Sequence, residues 1–323
     1  MSRFVASILA LAATALLGAG CITVHTFGDG RRSLEETLVY GKTGPRVLLL
    51  DIDDIINDSD VRGPLGVGGK EATTSRVREQ LDKAEKTQVA GVLLRINSPG
   101  GAVTASDVVY REILRFKQKN DIPIVTIMMG MAASGGYYVA MASDYVIAHP
   151  TTVTGSIGVI AAGLNLSGLM QRYGVGNQTI TAGEFKDAGS PLRPMTAPER
   201  AYLQAIVDDM HARFREVVVE GRPELDAERV RVLADGRIYT AGQALENGLV
   251  DELGYMPDAI DELKRRIQAP EIRVVAFHRE REWRANLYSS TAPPPAKAGL
   301  AERLGIDRGP GFLYLWWPGG LAP

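Results

Sequence analysis

Apolar positions along the chain follow two periods. Continuous apolar runs, Val47-Leu48-Leu49-Leu50-Asp51-Ile52, Val89 to Ile96, Ile122 to Met128 and Tyr145 to Ala148, predict strands. Their unbroken character suits a sheet covered on both faces. Between them every third or fourth position is apolar. Val77, Leu81 and Ala84 predict a helix over Ser75 to Lys86, and Val109, Ile113 and Phe116 predict a second that runs to Lys119. Residues 53–72, rich in Asp and Gly, read as a loop, and Gly130 to Gly136 as a Gly- and Ala-rich turn before a short helix. Thr196-Ala197-Pro198-Glu199 is a capping box, with proline early in the helix it opens. The apolar stripe of that helix is Leu203, Ile206, Val207, Met210, Phe214, Val217 and Val218. A last helix spans Asp258 to Ile267. Alternating strand and helix predicts an α/β fold, a mostly parallel sheet with helical crossovers. No short-period repeat is present, which excludes a solenoid.

The two ends stand apart from this pattern. Phe4 to Val24 is an uncharged run of 21 residues after Arg3. As a helix it would be about 31 Å long, the thickness of a bilayer's hydrocarbon core. The same letters also fit a lipoprotein leader, because Leu17-Gly18-Ala19-Gly20 precedes the lone cysteine, Cys21, the candidate lipid-attachment site. Transmembrane anchor, lipidated Cys21 and cleaved signal all remain open, and all three put the rest of the chain outside the cytoplasm. Residues 1–24 are thus a signal or anchor, 25–46 a polar spacer, 47–270 the principal domain and 271–323 a C-terminal extension. The extension holds a linker, Pro293-Pro294-Pro295, and an aromatic tail, Phe312-Leu313-Tyr314-Leu315-Trp316-Trp317. That tail fits packing on the core, docking on a neighbour or lying at a bilayer interface.

Composition narrows the chemistry. A net charge of -2 argues against nucleic acid as partner. One cysteine rules out an internal disulfide framework. The four histidines show no metal-ligand spacing, so neither metal nor cofactor is expected. Three segments carry candidate groups. Ala132-Ala133-Ser134-Gly135-Gly136 sets a serine between a strand and a helix, with small neighbours that let a substrate backbone approach. Asn97-Ser98-Pro99-Gly100-Gly101 ends the preceding strand, and glycine N–H groups there suit an oxyanion. Lys186 sits in the compact segment Gly183 to Pro191 beside Phe185. An ordinary lysine titrates near ~10.4, so about one in 2,500 is neutral at pH 7, and a lysine base needs a setting worth roughly 4 kcal/mol against its charge. Taken singly, these residues read as a turn serine, a turn and a surface lysine. Nothing ties His149 to Ser134, and it reads as structural.

Together the segments resemble the signal peptide peptidase A family, serine peptidases of crotonase-like or Clp-like fold, in its half-length form. The resemblance runs from about Val47 to Arg266. It rests on Arg95-Ile96-Asn97-Ser98-Pro99-Gly100-Gly101, Met131-Ala132-Ala133-Ser134-Gly135-Gly136-Tyr137-Tyr138 and Thr154-Gly155-Ser156-Ile157-Gly158-Val159. Phe185-Lys186-Asp187-Ala188-Gly189-Ser190-Pro191, Gly236 to Thr240 and Leu249 to Gly254 continue it in order. The resemblance implies Ser134 as nucleophile, Lys186 as general base, Ser156 orienting the lysine, and N–H groups of Gly101 and Gly135 around the oxyanion. It also implies a membrane-bound homo-oligomeric ring, an octamer, with each dyad completed between subunits. The implied substrates are remnant signal peptides and other unfolded or membrane-released peptides. Two alternatives share features with this reading: a crotonase-type acyl-CoA enzyme and a ring scaffold that holds peptides without cutting them.

Overall fold

A computed structural model of the chain describes residues 33–62, 69–279, 285–289 and 312–315. The run Phe4 to Val24, Cys21, the linker Pro293-Pro294-Pro295 and the tail's Trp316 and Trp317 lie outside these residues. The described residues from Leu34 onward belong to one compact unit, which carries every element below. Among the described residues no helix is long and apolar enough to cross a membrane.

The chain runs β1 (Glu35–Tyr40), β2 (Arg46–Asp53), a short hairpin β3 (Val61–Arg62) and β4 (Gly69–Lys70), then α1 (Thr73–Thr87). Next come β5 (Gly91–Ser98), β6 (Gly100–Ala102), α2 (Val103–Asn120), β7 (Ile124–Ala133), α3 (Gly135–Ala140) and β8 (Tyr145–Ala148). The third quarter holds β9 (Val153–Gly155), β10 (Ile160–Ala161), α4 (Ser167–Arg172), α5 (Ala197–Gly221) and α6 (Ala227–Leu233). The last described elements are β11 (Ile238–Thr240), α7 (Ala241–Glu246), β12 (Glu252–Leu253), α8 (Met256–Ile267), β13 (Arg273–His278) and β14 (Phe312–Leu315).

The main sheet has nine strands in the order β1-β13-β2-β5-β7-β8-β12, with β9 beside β7 and β11 beside β9. All neighbours run parallel except β1 against β13 and β11 against β9. Both faces are covered, as the unbroken strand runs require. Side chains alternate across β2: Leu48, Leu50 and Ile52 join the layer of α1, α2, α3 and α5, while Val47 and Leu49 face Met256, Ala259, Ile260 and Leu263 of α8. Asp51 and Arg95 stand opposite each other in register and form a buried bidentate pair at 2.7 and 2.8 Å. Arg95 also donates to the carbonyls of Leu287 and Ser289, strapping 285–289 to the sheet.

Two features depart from the sequence reading, and a third decides among readings it left open. Gly130 to Gly136 is not wholly a turn, because β7 continues to Ala133. A register slip after Ile96 lets β7 outrun β5, and β7 changes partner from β8 (at Val125–Met128) to β9 (at Met131–Ala133). The Thr152 hydroxyl meets the carbonyls of Met128 and Met129 at the changeover. Second, the polar segment before Arg46 contributes β1, whose mixed burial suits a sheet edge. The sheet also extends past residue 270, since β13 ends at His278, whose ring meets the Thr37 hydroxyl at 2.7 Å. Third, part of the tail pairs with the fold. β14 is the middle strand of a second, antiparallel sheet, β10-β14-β6.

Candidate active site

Ser134 sits where β7 ends and α3 begins. Its backbone has φ 52 and ψ −115, a left-handed conformation that a side chain rarely adopts. Two backbone bonds hold it there. Its N–H donates to the Gly155 carbonyl at 2.7 Å, and its carbonyl accepts from the Tyr138 N–H at 2.9 Å. A sharp strand-to-helix turn of this kind lifts a serine out of the sheet's hydrogen-bond ladder, the geometry of a nucleophile elbow. Beneath it α3 is wholly buried. The Tyr137 hydroxyl donates to the Leu249 carbonyl at 2.8 Å, and burial pushes its titration up to about 12. Tyr138 stacks edge-on with Tyr110 at 5.4 Å and packs on Phe214 at 4.9 Å. The elbow therefore stands on a rigid floor.

The turn 97–101 lies against this elbow. A Cβ on Gly135 would stand 3.1 Å from the Gly101 nitrogen and 2.4 Å from the Ser106 hydroxyl, so the two glycine backbones approach more closely than side chains permit. Gly101 has the same requirement on its other side, where a Cβ would meet the Ile56 carbonyl at 2.0 Å. Two side chains of the motif brace the turn. The Ser98 hydroxyl donates to the Asp54 carbonyl and accepts from the Gly100 N–H at 3.1 Å. The Asn97 side-chain oxygen accepts from the Met131 N–H at 3.2 Å, tying this turn to β7 just before the serine. These bracing roles were missed in the sequence, where both residues read only as turn formers.

Ser156 follows β9 directly and is also left-handed, with φ 50. Its N–H donates to the Arg237 carbonyl at 2.7 Å, and its neighbour Gly155 holds the Ser134 N–H. Strand β11 locks this corner, since a Cβ on Gly155 would meet the Tyr239 ring at 2.5 Å. Ser134, Ser156, Gly101 and Gly135 are thus brought to one end of the sheet, beyond the carboxyl ends of β5, β7 and β9, where ligands bind in open α/β sheets.

Lys186 is not brought into that cluster within one chain. Ser134 is 1% exposed, Lys186 is exposed, and no hydrogen bond joins them. No residue from 158 to 198 is buried, and this arm shows solvent Leu164, Leu169, Tyr173, Val175 and Ile180. The turn that carries Lys186 is nonetheless well fixed. The Lys186 N–H bonds to Gly183 (3.2 Å), that of Ala188 to Phe185 (3.1 Å) and that of Ser190 to Asp187 (3.0 Å). On one side Phe185 packs against Tyr202 of α5 at 5.3 Å. On the other, Arg193 grips Asp187 through two bonds of 2.8 and 2.7 Å and reaches Glu199 of the capping box at 2.9 Å. Hydrogen bonding from Arg193 lowers the Glu199 carboxyl to about 2 and also depresses that of Asp187. The capping box was legible in the sequence; its use as an anchor for the arm was not, because nothing local links Arg193 to both carboxylates.

His149 has a structural setting. Its Nδ1 meets the Thr151 hydroxyl at 2.9 Å and its ring packs edge-on against Tyr255 at 5.0 Å. The Cys21 expectation lies outside the described residues.

Comparison with known proteins bears on this arrangement. The family model of peptidase family S49 matches residues 116–269, and that of Clp protease matches residues 64–154. A protein of Enterococcus faecium named signal peptide peptidase SppA is 40% identical over 246 residues, covering 75% of this chain and 70% of its own. A protease of Synechocystis sp. is 40% identical over 200 residues, covering 62% of this chain and 70% of its own. The chloroplastic serine protease SPPA of Arabidopsis thaliana is 30% identical over 274 residues, covering 83% of this chain and 39% of its own. A solved ClpP1 mutant from Listeria monocytogenes aligns with 66% of this chain and 94% of its own at 17% identity and TM-score 0.43, a partial likeness. The S49 family model and the SppA-named relatives displace the acyl-CoA alternative: the chain belongs to peptidase family S49 and is a serine peptidase.

Proposed function

We propose that the chain is a membrane-anchored, extracytoplasmic endopeptidase in which Ser134 is the nucleophile and Lys186 the general base. The observation that carries this reading is the strained elbow at Ser134, pressed against the Gly101 turn and bonded through Gly155 to the Ser156 corner. Neutral Lys186 accepts the Ser134 proton as the hydroxyl attacks a peptide carbonyl. N–H groups of Gly101 and Gly135 receive the oxyanion, and Ser156 orients the lysine. Protonated Lys186 then hands its proton to the leaving amine, and water releases the acyl-enzyme. In that last step neutral Lys186 takes a proton from the attacking water and returns it to the Ser134 oxygen, so the cycle consumes one water and no other proton donor.

In this reading the dyad is completed between protomers of a ring, an octamer by the family resemblance. Its support is the exposed, apolar arm with the rigid Lys186 turn. The first half of the α5 stripe, Leu203, Ile206, Val207 and Met210, is likewise incompletely buried. Exposed apolar side chains concentrated on one arm support an interface there. The substrates are remnant signal peptides and other unfolded or membrane-released peptides, and the anchor is the run Phe4 to Val24 or a lipid on Cys21. Ser134→Ala and Lys186→Ala are each expected to lower turnover of a fluorogenic peptide by at least about a thousandfold while leaving the circular dichroism spectrum intact. Turnover near that of the native chain in either variant would sink the mechanism.

A further inference from the structure

A second concave surface lies on the far side of β9 from Ser134, where β11 pairs with β9. Helix α6, strand β11 and helix α7 line an open cleft of about 560 Å³, within the size range of small-ligand sites. Val232, Ile238 and Tyr239 give it apolar surface. Its charge is set by how the arginines of this region are paired. Arg231 bonds to Glu228 at 3.0 Å, and Arg237, which lines the cleft, bonds to Asp235 at 2.9 and 2.8 Å. Arg229, also of the lining, forms no ion pair among the described residues. Its guanidinium donates to the Asn247 side-chain oxygen at 2.5 Å, and the Asn247 amide donates to the Gln243 carbonyl at 2.7 Å. A fixed, uncompensated cation thus stands beside apolar surface.

That combination recognises a carboxylate carried on an apolar body, since a guanidinium fork matches a carboxylate. Peptide hydrolysis makes such a group at every cut, a new C-terminal carboxylate. We infer that the cleft binds the C-terminal end of a released apolar peptide, its carboxylate on Arg229, and that occupancy raises turnover at Ser134. The identity of the ligand rests on the peptidase reading above. Glu246, the acidic residue of the lining, is an acceptor for the peptide's own N–H groups. Strand β11 is the link to the reacting serine. The Tyr239 ring lies so close to Gly155 that a Cβ there would stand 2.5 Å away, and the Tyr239 hydroxyl is held by the Leu233 carbonyl at 2.8 Å. The Gly155 carbonyl in turn accepts from the Ser134 N–H, and the Arg237 carbonyl accepts from the Ser156 N–H, both at 2.7 Å. Both serines have positive φ, a conformation that lasts only where neighbours enforce it. A ligand lodged against β11 adds to that enforcement, so the bonded corner is more fully populated and kcat rises.

Binding is read first, without hydrolysis. In a full-length Ser134→Ala chain, N-terminally fluorescein-labelled Ala-Leu-Ala-Leu with a free carboxylate is expected to bind about tenfold more tightly, by anisotropy, than the same peptide ending in a carboxamide. Adding Arg229→Gln, at an exposed position, should erase that difference. Equal affinities for acid and amide, or a difference that survives Arg229→Gln, overturn the inference. Turnover is read second, in the chain with Ser134 intact. The unlabelled acid peptide should raise kcat for a fluorogenic peptide about fivefold, the carboxamide should not, and Arg229→Gln should abolish the rise. An unchanged kcat, or a rise in KM alone, which is competition at Ser134, overturns the inference as well. Acid-selective binding that depends on Arg229, in a chain that hydrolyses nothing, upholds the carboxylate site and rejects the peptidase reading together with the activation that depends on it.

Discussion

Ser134 and Ser156 share an uncommon property: both adopt positive φ, one residue past the ends of adjacent parallel strands. A non-glycine residue held there costs about 1–3 kcal/mol and persists only where neighbours enforce it. The Gly155 carbonyl and the Tyr138 N–H do so at Ser134. Ser134→Gly is therefore expected to stabilise the fold, raising the melting temperature by about 2–4 °C for each kcal/mol relieved, while peptide turnover disappears. A lower melting temperature in this variant would mean that the elbow is not strained. The letters around Ser134 were legible in the sequence because small residues flank the serine. Its backbone angle was not, because it is imposed by Gly155, a contact between strands. Gly101 had the opposite fate. It read as a plain turn glycine, yet the Ile56 carbonyl, 2.0 Å from where a Cβ would stand, makes the residue obligatory.

Among the elements, those with long periodic patterns were readable from sequence and those set by pairing were not. Helix α1 spans Thr73–Thr87 against an expected Ser75 to Lys86, and α5 opens at the capping box as read. Strands β10 and β14 have two and four residues and little pattern of their own; they exist because residues far apart in sequence meet. The arm that bears Lys186 also depends on such a meeting, at the Asp187–Arg193–Glu199 clasp. Both carboxyls titrate below their ordinary values, so the clasp adds stability above those values and loses it as pH falls through the range below them. For Glu199 that window runs from 4.5 down to about 2. Limited proteolysis within residues 160–195 is expected to accelerate across that window in the native chain. Arg193→Ala should be cut rapidly at neutral pH and should lose peptide turnover. Native-like resistance in Arg193→Ala would show that Phe185 on Tyr202 suffices to hold the turn.

At the scale of the whole molecule, a buried serine and an exposed lysine on an apolar arm make one testable demand. If neighbouring protomers supply each other's missing group, Ser134→Ala and Lys186→Ala complement one another. Co-assembled in equal amounts they should recover up to about a quarter of native activity, since half the protomers carry the serine and half their neighbours the lysine. No recovery from verified mixed assemblies would mean that the dyad closes within one chain.

If each dyad closes only between protomers, the same separation gives the newly made chain a safety catch. While single, a protomer would then hold Ser134 under the fold and Lys186 at the end of an arm, and it could not cleave the unfolded proteins around it. Reactivity then begins only where protomers accumulate. On that reading dilution alone would disarm the peptidase.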